Sequence, residues 1–259
     1  MSSVENEPIE SETFQEKIED YPYLYETHFH TNGSSACGKS SPEDMIRACK
    51  EYGYTGVVVT EHNWGGNTCI DRNLPWETFV DEFVKSYDRA KAVGDEIGVD
   101  VFLGYEAGYN GTEFLIYGLT KDYMKAHPEL KTCSVEEQFD IVHNGGGIVV
   151  HAHPFREEDY IPEIRLFPDY VDGVEGINVS HITPLRSSHN NPDYDVKAIA
   201  YARKHNKPMT CGSDIHSDVL FGGGIRTKKK LNNIKEFIEL ILSGKDYVLY
   251  DGENIHPAR

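Results

Sequence analysis

The sequence has no cysteine pairs at metal-binding spacing, no long apolar run and comparatively few basic residues. Its five cysteines are scattered without a CxxC pair, which argues against a disulfide framework and against a thiolate zinc site. No apolar run approaches the roughly 20 residues that span a bilayer, so we expect no membrane association. The N-terminal stretch is acidic and polar, unlike a signal peptide, and we therefore expect a cytoplasmic protein.

The deficit of basic residues gives a net charge of −18. Such a surface repels polyanions, so we do not expect an extended nucleic acid as a partner. A small phosphorylated substrate remains compatible with this charge, because bound cations reverse the field locally. At 259 residues the chain fits one large domain. We predict an acidic tail or surface helix over residues 1–22 and a single domain over 23–259.

Short apolar runs alternate with longer amphipathic stretches along the chain. The predicted strands are 23–27, 55–60, 99–105, 113–119, 147–151, 171–177, 208–211 and 247–250, and the predicted helices are 41–52, 76–97, 134–144, 192–206 and 231–242. This alternation is typical of parallel strands covered by helices. About seven such units in this length favour an α/β fold of the closed or distorted barrel type over an open sheet.

Three pairs of metal-ligating residue types stand at predicted strand ends: His28-Phe29-His30, His151-Ala152-His153 and Asp214-Ile215-His216. In extended backbone, residues two apart point to the same face, so each pair can direct two donors at one point. Glu61-His62 and Glu106 also follow predicted strands. In parallel barrels the strand ends form the active-site face, so these groups are predicted to converge. Nitrogen and oxygen ligands without thiolate suit Zn, Mn or Fe.

The order of these motifs resembles a known family, the PHP (polymerase and histidinol phosphatase) domain of metal-dependent hydrolases. The matching motifs are HxHT at 28–31, TEH at 60–62, Glu106 at a strand end, AHPF at 152–155 and GSDIH at 212–216. The resemblance extends over residues 23–224. It implies a distorted (β/α)7 TIM-like barrel that holds two or three divalent metal ions.

The resemblance also implies a set of ligands. One cation takes His28, His30 and Asp214 with Glu106, which bridges to a second cation beside His153. His62 and His216 correspond to ligands of a third cation. Apart from the family pattern, Glu61 is expected to orient a ligand, with a salt bridge elsewhere as the alternative, and His151 is expected to be an auxiliary group.

Two departures from the family pattern are visible. The family often has a histidine in the strand after the bridging glutamate, where this chain has Phe114-Leu115. It also often has an aspartate or histidine shortly after HxHT, where residues 32–38 offer only Cys37 as a substitute. A structural loop cysteine is the alternative interpretation of Cys37. Either two bound metals or a third of low occupancy would follow.

Arg156 is the best candidate for binding a substrate phosphate, since a guanidinium can engage two oxygens at once. The alternative is a salt bridge with Glu157, Glu158 or Asp159. Arg186 and Lys39 are weaker candidates for the same task.

We therefore predict a phosphoesterase that uses a metal-bound hydroxide on a small phosphorylated metabolite or nucleotide. Glu106, His216 and Arg156 are the predicted catalytic residues, and His216 or His62 could protonate the leaving oxygen. Two alternatives remain: an amidohydrolase-type enzyme that cleaves C–N or C–O bonds, and a non-catalytic metal-binding barrel. The sequence indicates no particular oligomeric state.

Overall fold

The computed structural model of this protein describes residues 16–184, 189–220 and 222–259. Its strands, in chain order, are β1 (Tyr23–Phe29), β2 (Gly56–Val59), β3 (Asp100–Tyr109), β4 (Thr112–Tyr117), β5 (Ile148–Ala152), β6 (Gly173–Asn178), β7 (Met209–Gly212), β8 (Gly224–Thr227), β9 (Tyr247–Tyr250) and β10 (Ile255–Pro257). The α-helices are α1 (Pro42–Tyr52), α2 (Trp76–Ile97), α3 (Lys121–Ala126), α4 (Val135–Asn144), α5 (Asp193–Lys204) and α6 (Ile234–Ser243). Short 3-10 helices lie at Ile18–Asp20, Pro128–Lys131, Pro168–Tyr170 and Val179–His181.

The strands form one ten-stranded sheet in the order β10-β9-β8-β1-β2-β3-β4-β5-β6-β7. The sheet curls until the segment after β7 reaches the end of β1. There the His30 amide donates to the Ile215 carbonyl at 2.9 Å, and Thr27 Oγ1 donates to the Cys211 carbonyl at 2.8 Å. The predicted α/β class is confirmed as a curled half-barrel, whereas a regular (β/α)7 repeat is not.

The sheet is mixed rather than parallel, because β4 runs antiparallel to both β3 and β5. A parallel connection needs a crossover of a dozen or more residues, but only Asn110 and Gly111 separate β3 from β4. Both residues have positive φ, +50° and +87°, as a two-residue hairpin turn of type I′ requires. The prediction of parallel strands was therefore wrong for β4, and the Asn-Gly pair was the signal for this hairpin.

Strand β8 was also missed by the sequence analysis. It pairs antiparallel with β1 and β9, although its four residues include only one large apolar side chain, Ile225. Arg226 covers the ring of Tyr250 instead, with Cζ 4.4 Å from the ring centre. Pairing with two neighbours thus makes a strand of a segment whose composition predicts a loop.

Helix ends follow the sequence closely. Ser41 caps α1 by accepting a hydrogen bond from the Asp44 amide at 3.1 Å, and Gly53 ends the helix with φ of +100°. Ser134 and Glu137 form the reciprocal capping box predicted for α4. Within the described part of the chain, no helix has the length and apolar character needed to cross a membrane. Of the predicted tail, residues 1–15 lie outside the described residues.

Strand β4 shows how the sheet is covered on both faces. Leu115 and Tyr117 pack inside the curl with Tyr25, whereas Phe114 and Ile116 point outward toward α2. Each of these side chains is almost fully buried, a state that stabilises the fold by about 1.5–3 kcal/mol per large apolar side chain. At its other end, the inner face of this strand reaches a cluster of buried polar side chains.

Candidate metal centre

Imidazoles and carboxylates from separate strand ends meet at one mouth of the curled sheet. The His28–His30 pair comes from the end of β1 and the loop after it, His62 follows β2, Glu106 lies on β3, His153 follows β5, and Asp214 and His216 follow β7. All are buried, and His216, the most exposed of them, is only 9% exposed. All of them except His28 and His30 line a cavity of about 270 Å³, whose walls are formed by Cys37, His62, Asn67, Glu106, Glu113, His153, Arg156, Tyr160, His189, Asp214 and His216.

Glu106 stands at the centre of this cluster. Its Oε1 lies 3.2 Å from His28 Nε2 and 3.0 Å from His153 Nε2. Its Oε2 lies 2.8 Å from His62 Nδ1 and 3.4 Å from His30 Nε2. One carboxylate therefore contacts four imidazoles, two on each oxygen, which is the position expected of a carboxylate shared between two cations.

Asp214 forms a second acidic point beside Glu106. Its Oδ1 lies 3.4 Å from His30 Nε2 and 3.6 Å from both His28 Nε2 and His216 Nδ1. The backbone at Asp214 is left-handed, with φ of +51°, as is that of His153, with φ of +26°. Strained backbone of this kind concentrates at functional sites, because the surrounding structure must stabilise it.

The arrangement fits divalent cations. The triplets with ligand atoms within 4.8 Å of one another are His30–His62–His216, His28–His30–Glu106, His28–His153–Asp214 and His62–Glu106–Glu113. Among the described residues, the buried atoms His28 Nε2, His30 Nε2, His62 Nδ1 and Glu106 Oε2 make close contacts with one another or with Asp214 but form no hydrogen bond of regular geometry. Since buried polar atoms are normally paired, these converging atoms fit a site for metal ions.

Burial and neighbouring charges shift the pKa values of the acids and imidazoles in the cluster. Burial opposes charge on Glu106, but His28 and His62 outweigh it and hold the pKa of Glu106 well below its usual value. Burial also opposes charge on His28, yet Glu175 and Asp214 raise the pKa of that ring well above its usual value. Burial and the neighbouring His62 lower the pKa of His30 to about 4. Glu106 is therefore ionised at neutral pH and ready to bind a cation.

The family model described as PHP domain matches residues 26–214. This chain belongs to the PHP domain family. No curated protein matches it. Three solved structures resemble this PHP domain at 16–17% sequence identity, which shows the fold alone.

The first is a two-domain protein of Bacteroides vulgatus containing a predicted PHP-like metal-dependent phosphoesterase, with a TM-score of 0.64 over 89% of this chain. This chain spans 65% of the length of that protein. The second, a proposed metal-dependent phosphoesterase of Bifidobacterium adolescentis, has a TM-score of 0.50 and covers 85% of this chain and 95% of its own. The third is an amidohydrolase of Chromobacterium violaceum with bound sulfate and no metal. It has a TM-score of 0.52 and covers 74% of this chain and 87% of its own.

Glu61 lies behind the clustered imidazoles of this PHP domain. It accepts hydrogen bonds from the Thr31 amide at 3.1 Å and from Ser35 Oγ at 2.5 Å. Ser35 Oγ in turn lies 3.2 Å from His30 Nδ1 and accepts from the His62 amide at 3.0 Å. Glu61 thus fixes two ligand-bearing segments through one serine, an arrangement that supports an orienting role.

Glu175 does the same for His28 and was missed by the sequence analysis. Its Oε1 lies 2.9 Å from His28 Nδ1, and its Oε2 accepts from the His153 amide at 2.9 Å. The contact directs His28 Nε2 toward Glu106. The signal in the sequence was a carboxylate within the fully buried apolar run of β6.

Glu113 is a second missed residue. It lies on the inner face of β4, where its Oε2 is 3.6 Å from His153 Nε2 and its Oε1 is 3.9 Å from His62 Nδ1. Burial and the neighbouring Glu106 raise the pKa of Glu113. It immediately precedes Phe114-Leu115, where the sequence analysis found the family histidine missing, so a carboxylate takes that place.

His151 does not reach the cluster. The register pairs Glu113 with Ala152 and Phe114 with His151, so His151 lies on the outer face of β5. There its ring stacks on Phe114 with 4.9 Å between ring centres. The predicted pairing of His151 with His153 was wrong, because the chain leaves extended geometry at His153.

The predicted phosphate-binding residues have different positions. Arg156 is buried on the cavity wall, and its Nη2 contacts Asp214 Oδ2 at 2.6 Å rather than a neighbouring acid of its own loop. Lys39 is exposed; its backbone amide donates to the His216 carbonyl at 2.7 Å, and its carbonyl accepts from Asn32 Nδ2 at 3.5 Å. Arg186 lies outside the described residues. Cys37 lines the cavity within hydrogen-bonding reach of His62.

Proposed function

We propose that this PHP domain is a metal-dependent phosphoesterase acting on a small phosphorylated metabolite or nucleotide. The observation that carries the proposal is a buried guanidinium, that of Arg156, on the wall of the cavity that the ligand cluster borders. In a chain of net charge −18, this placement supplies a local cation for an anionic substrate. The cavity of about 270 Å³ suits a phosphoryl group with a small leaving group.

The residues that would hold two or three Zn, Mn or Fe ions are the clustered imidazoles and acids: His28, His30, His62, Glu106, Glu113, His153, Asp214 and His216. Such ions, when bound, lower the pKa of a coordinated water and neutralise charge on a phosphate ester. Glu106, whose two oxygens each contact two imidazoles, would be a ligand to these ions. Glu61 and Glu175 keep His30 and His28 in the required orientation.

Arg156 binds and orients the ester. Its Nε and Nη2 contact His181, Ser180 and Asp214, and among the described residues none accepts a hydrogen bond from Nη1. Those N–H groups are free to donate to a phosphate oxygen. His62 and His216 line the same cavity, and either ring can deliver a proton to the leaving oxygen when it does not hold a cation.

The test is hydrolysis of an aryl phosphate by the metal-loaded protein. His28→Ala and Asp214→Ala are each expected to lower kcat/KM by more than about 100-fold, the upper range for residues that merely support a ligand. Asp246→Ala serves as the matched control and should retain full activity, since that side chain is exposed. Failure of the wild-type protein to hydrolyse any phosphate ester in a broad panel would contradict the proposal.

A second candidate is an amidohydrolase-type reaction at a C–N or C–O bond. It is favoured by the likeness to the Chromobacterium amidohydrolase, whereas the sulfate bound to that protein favours an oxyanion substrate. Activity on amides or lactones, with none on phosphates, would select this candidate. Fewer than two tightly bound metal ions per chain would instead favour a non-catalytic barrel.

A further inference from the structure

A chain of buried polar groups runs from the cavity into the protein behind Arg156. Arg156 Nε donates to His181 Nε2 at 3.2 Å, and His181 Nδ1 lies 2.6 Å from Asp195 Oδ1. Arg156 follows β5, His181 ends the 3-10 helix Val179–His181, and Asp195 lies in the first turn of α5. These residues are 4%, 1% and 6% exposed, so the chain is shielded from water.

The direction of each hydrogen bond in this chain is fixed by Arg156. A guanidinium only donates, so His181 Nε2 must carry a lone pair and Nδ1 must carry the hydrogen. Burial and the Arg156 charge lower the pKa of His181 to about 2, which keeps the ring neutral. Burial raises the pKa of Asp195 to about 8, and its Oδ1 can accept from Nδ1 whether the carboxyl is ionised or protonated on Oδ2.

The same series of hydrogen bonds continues to Glu175, which supports the clustered imidazoles. Asp195 Oδ1 also accepts from the Asn178 amide at 3.2 Å. Asn178 Nδ2 donates to Glu175 Oε2 at 3.0 Å, and Glu175 is the acid that orients His28. The end of β6 therefore connects the residues that support Arg156 with the residue that orients His28.

We propose that His181 and Asp195 are positioning residues that fix the Arg156 guanidinium for oxyanion binding. This inference rests on the proposed function. With Nε held by His181 and Nη2 by Asp214 Oδ2 at 2.6 Å, the plane of the guanidinium is set at two points. A fixed plane leaves Nη1 directed for binding and avoids the entropy cost of ordering a long side chain with the substrate.

A double-mutant cycle tests whether His181 acts through Arg156. In the metal-loaded protein, His181→Phe should weaken the binding of inorganic sulfate, measured by calorimetry, by about tenfold and raise KM for an aryl phosphate similarly, with kcat little changed. In an Arg156→Ala background, the same substitution should have no further effect on either quantity. An equal loss in both backgrounds, or a wild-type protein that binds no sulfate, would overturn the proposal.

Variants at Asp195 separate positioning from general packing. Asp195→Asn retains an oxygen acceptor for Nδ1–H and should keep most of the sulfate affinity, whereas Asp195→Ala should lose about as much as His181→Phe. Lys197 lies on the same helix and is exposed, so Lys197→Ala should leave the sulfate affinity unchanged. If Lys197→Ala lost as much sulfate affinity as Asp195→Ala, a specific role for the hydrogen bonds from Arg156 to Asp195 would be contradicted.

The tautomer of His181 gives a readout that needs no substrate. Nitrogen chemical shifts in the full-length protein should show the Nδ1–H form in the wild type, and an Nε2–H or doubly protonated ring would overturn the proposal. If the wild-type protein binds sulfate but hydrolyses no phosphate ester, the proposed function fails while the sulfate cycle and the tautomer still decide the role of His181.

Discussion

The most informative single residue is Glu113, which takes the place of an expected histidine. It completes the triplet His62–Glu106–Glu113, whose ligand atoms lie within 4.8 Å of one another. Two carboxylates and an imidazole form a harder ligand set than a histidine-rich site does. Harder sets suit Mn and Fe better than they suit the soft metals that prefer thiolate ligands. Burial of this additional acid next to Glu106 is costly without a cation, as the raised pKa of Glu113 shows.

Removing the Glu113 carboxylate should therefore reduce the amount of bound metal. For Glu113→Gln, we expect the metal content after dialysis, measured by elemental analysis, to fall by about one equivalent per chain, because an amide is a weaker ligand. Glu253→Gln, an exposed variant of the same chemistry, should bind as the wild type does. Unchanged stoichiometry in Glu113→Gln would exclude it as a ligand.

The meeting of these residues at one mouth of the sheet could be predicted because each motif carries its own short-range geometry. His28 and His30 share a strand face, and Asp214 and His216 follow the same pattern after β7. Glu113 was not predictable, since its place depends on the antiparallel register that sets it opposite Ala152. That register is a long-range property that no local pattern contains.

At the scale of elements, five of the six α-helices in the described residues were predictable, α3 was missed, and strand directions were not predictable. The bounds of α1 and α2 follow capping residues and glycines that act locally, so the sequence predicted them within a residue or so. Strand direction depends on the connection instead. Asn110-Gly111 joins β3 to β4 in a tight turn, and this turn places Glu106 and Glu113 on adjacent strands of the cluster.

The hairpin turn should consequently be sensitive to the residue at Gly111. Its φ of +87° is strained for any residue with a Cβ, and a Cβ there would lie 3.0 Å from Ile161 Cα. We expect Gly111→Ala to lower the free energy of unfolding, measured by urea denaturation, by about 1–2 kcal/mol. Glycine adopts positive φ readily, so Asn110→Gly should change the free energy of unfolding by less than about 0.5 kcal/mol. A Gly111→Ala protein as stable as the wild type would show that the turn tolerates another geometry.

At the scale of the whole molecule, the cluster joins parts of the chain that are distant in sequence. Its residues extend from His28 to His216, and they close the curl where β1 meets the segment after β7. Bound cations would cross-link these strands and offset the repulsion among buried acids in a protein of net charge −18. Metal binding and folding stability are therefore linked, because the unfolded chain lacks the assembled ligands.

Removal of metal should accordingly destabilise the fold. At a free metal concentration 100 times Kd, linkage predicts about 2.7 kcal/mol of stabilisation, which a chelator abolishes and added Zn or Mn restores. The measurement is the midpoint of thermal or urea unfolding with and without metal. A protein carrying both His28→Ala and Asp214→Ala should respond less than the wild type, because the triplet His28–His153–Asp214 loses two of its three members while His30–His62–His216 and His62–Glu106–Glu113 remain. A response equal to that of the wild type would show that the stabilising metal does not depend on His28 or Asp214.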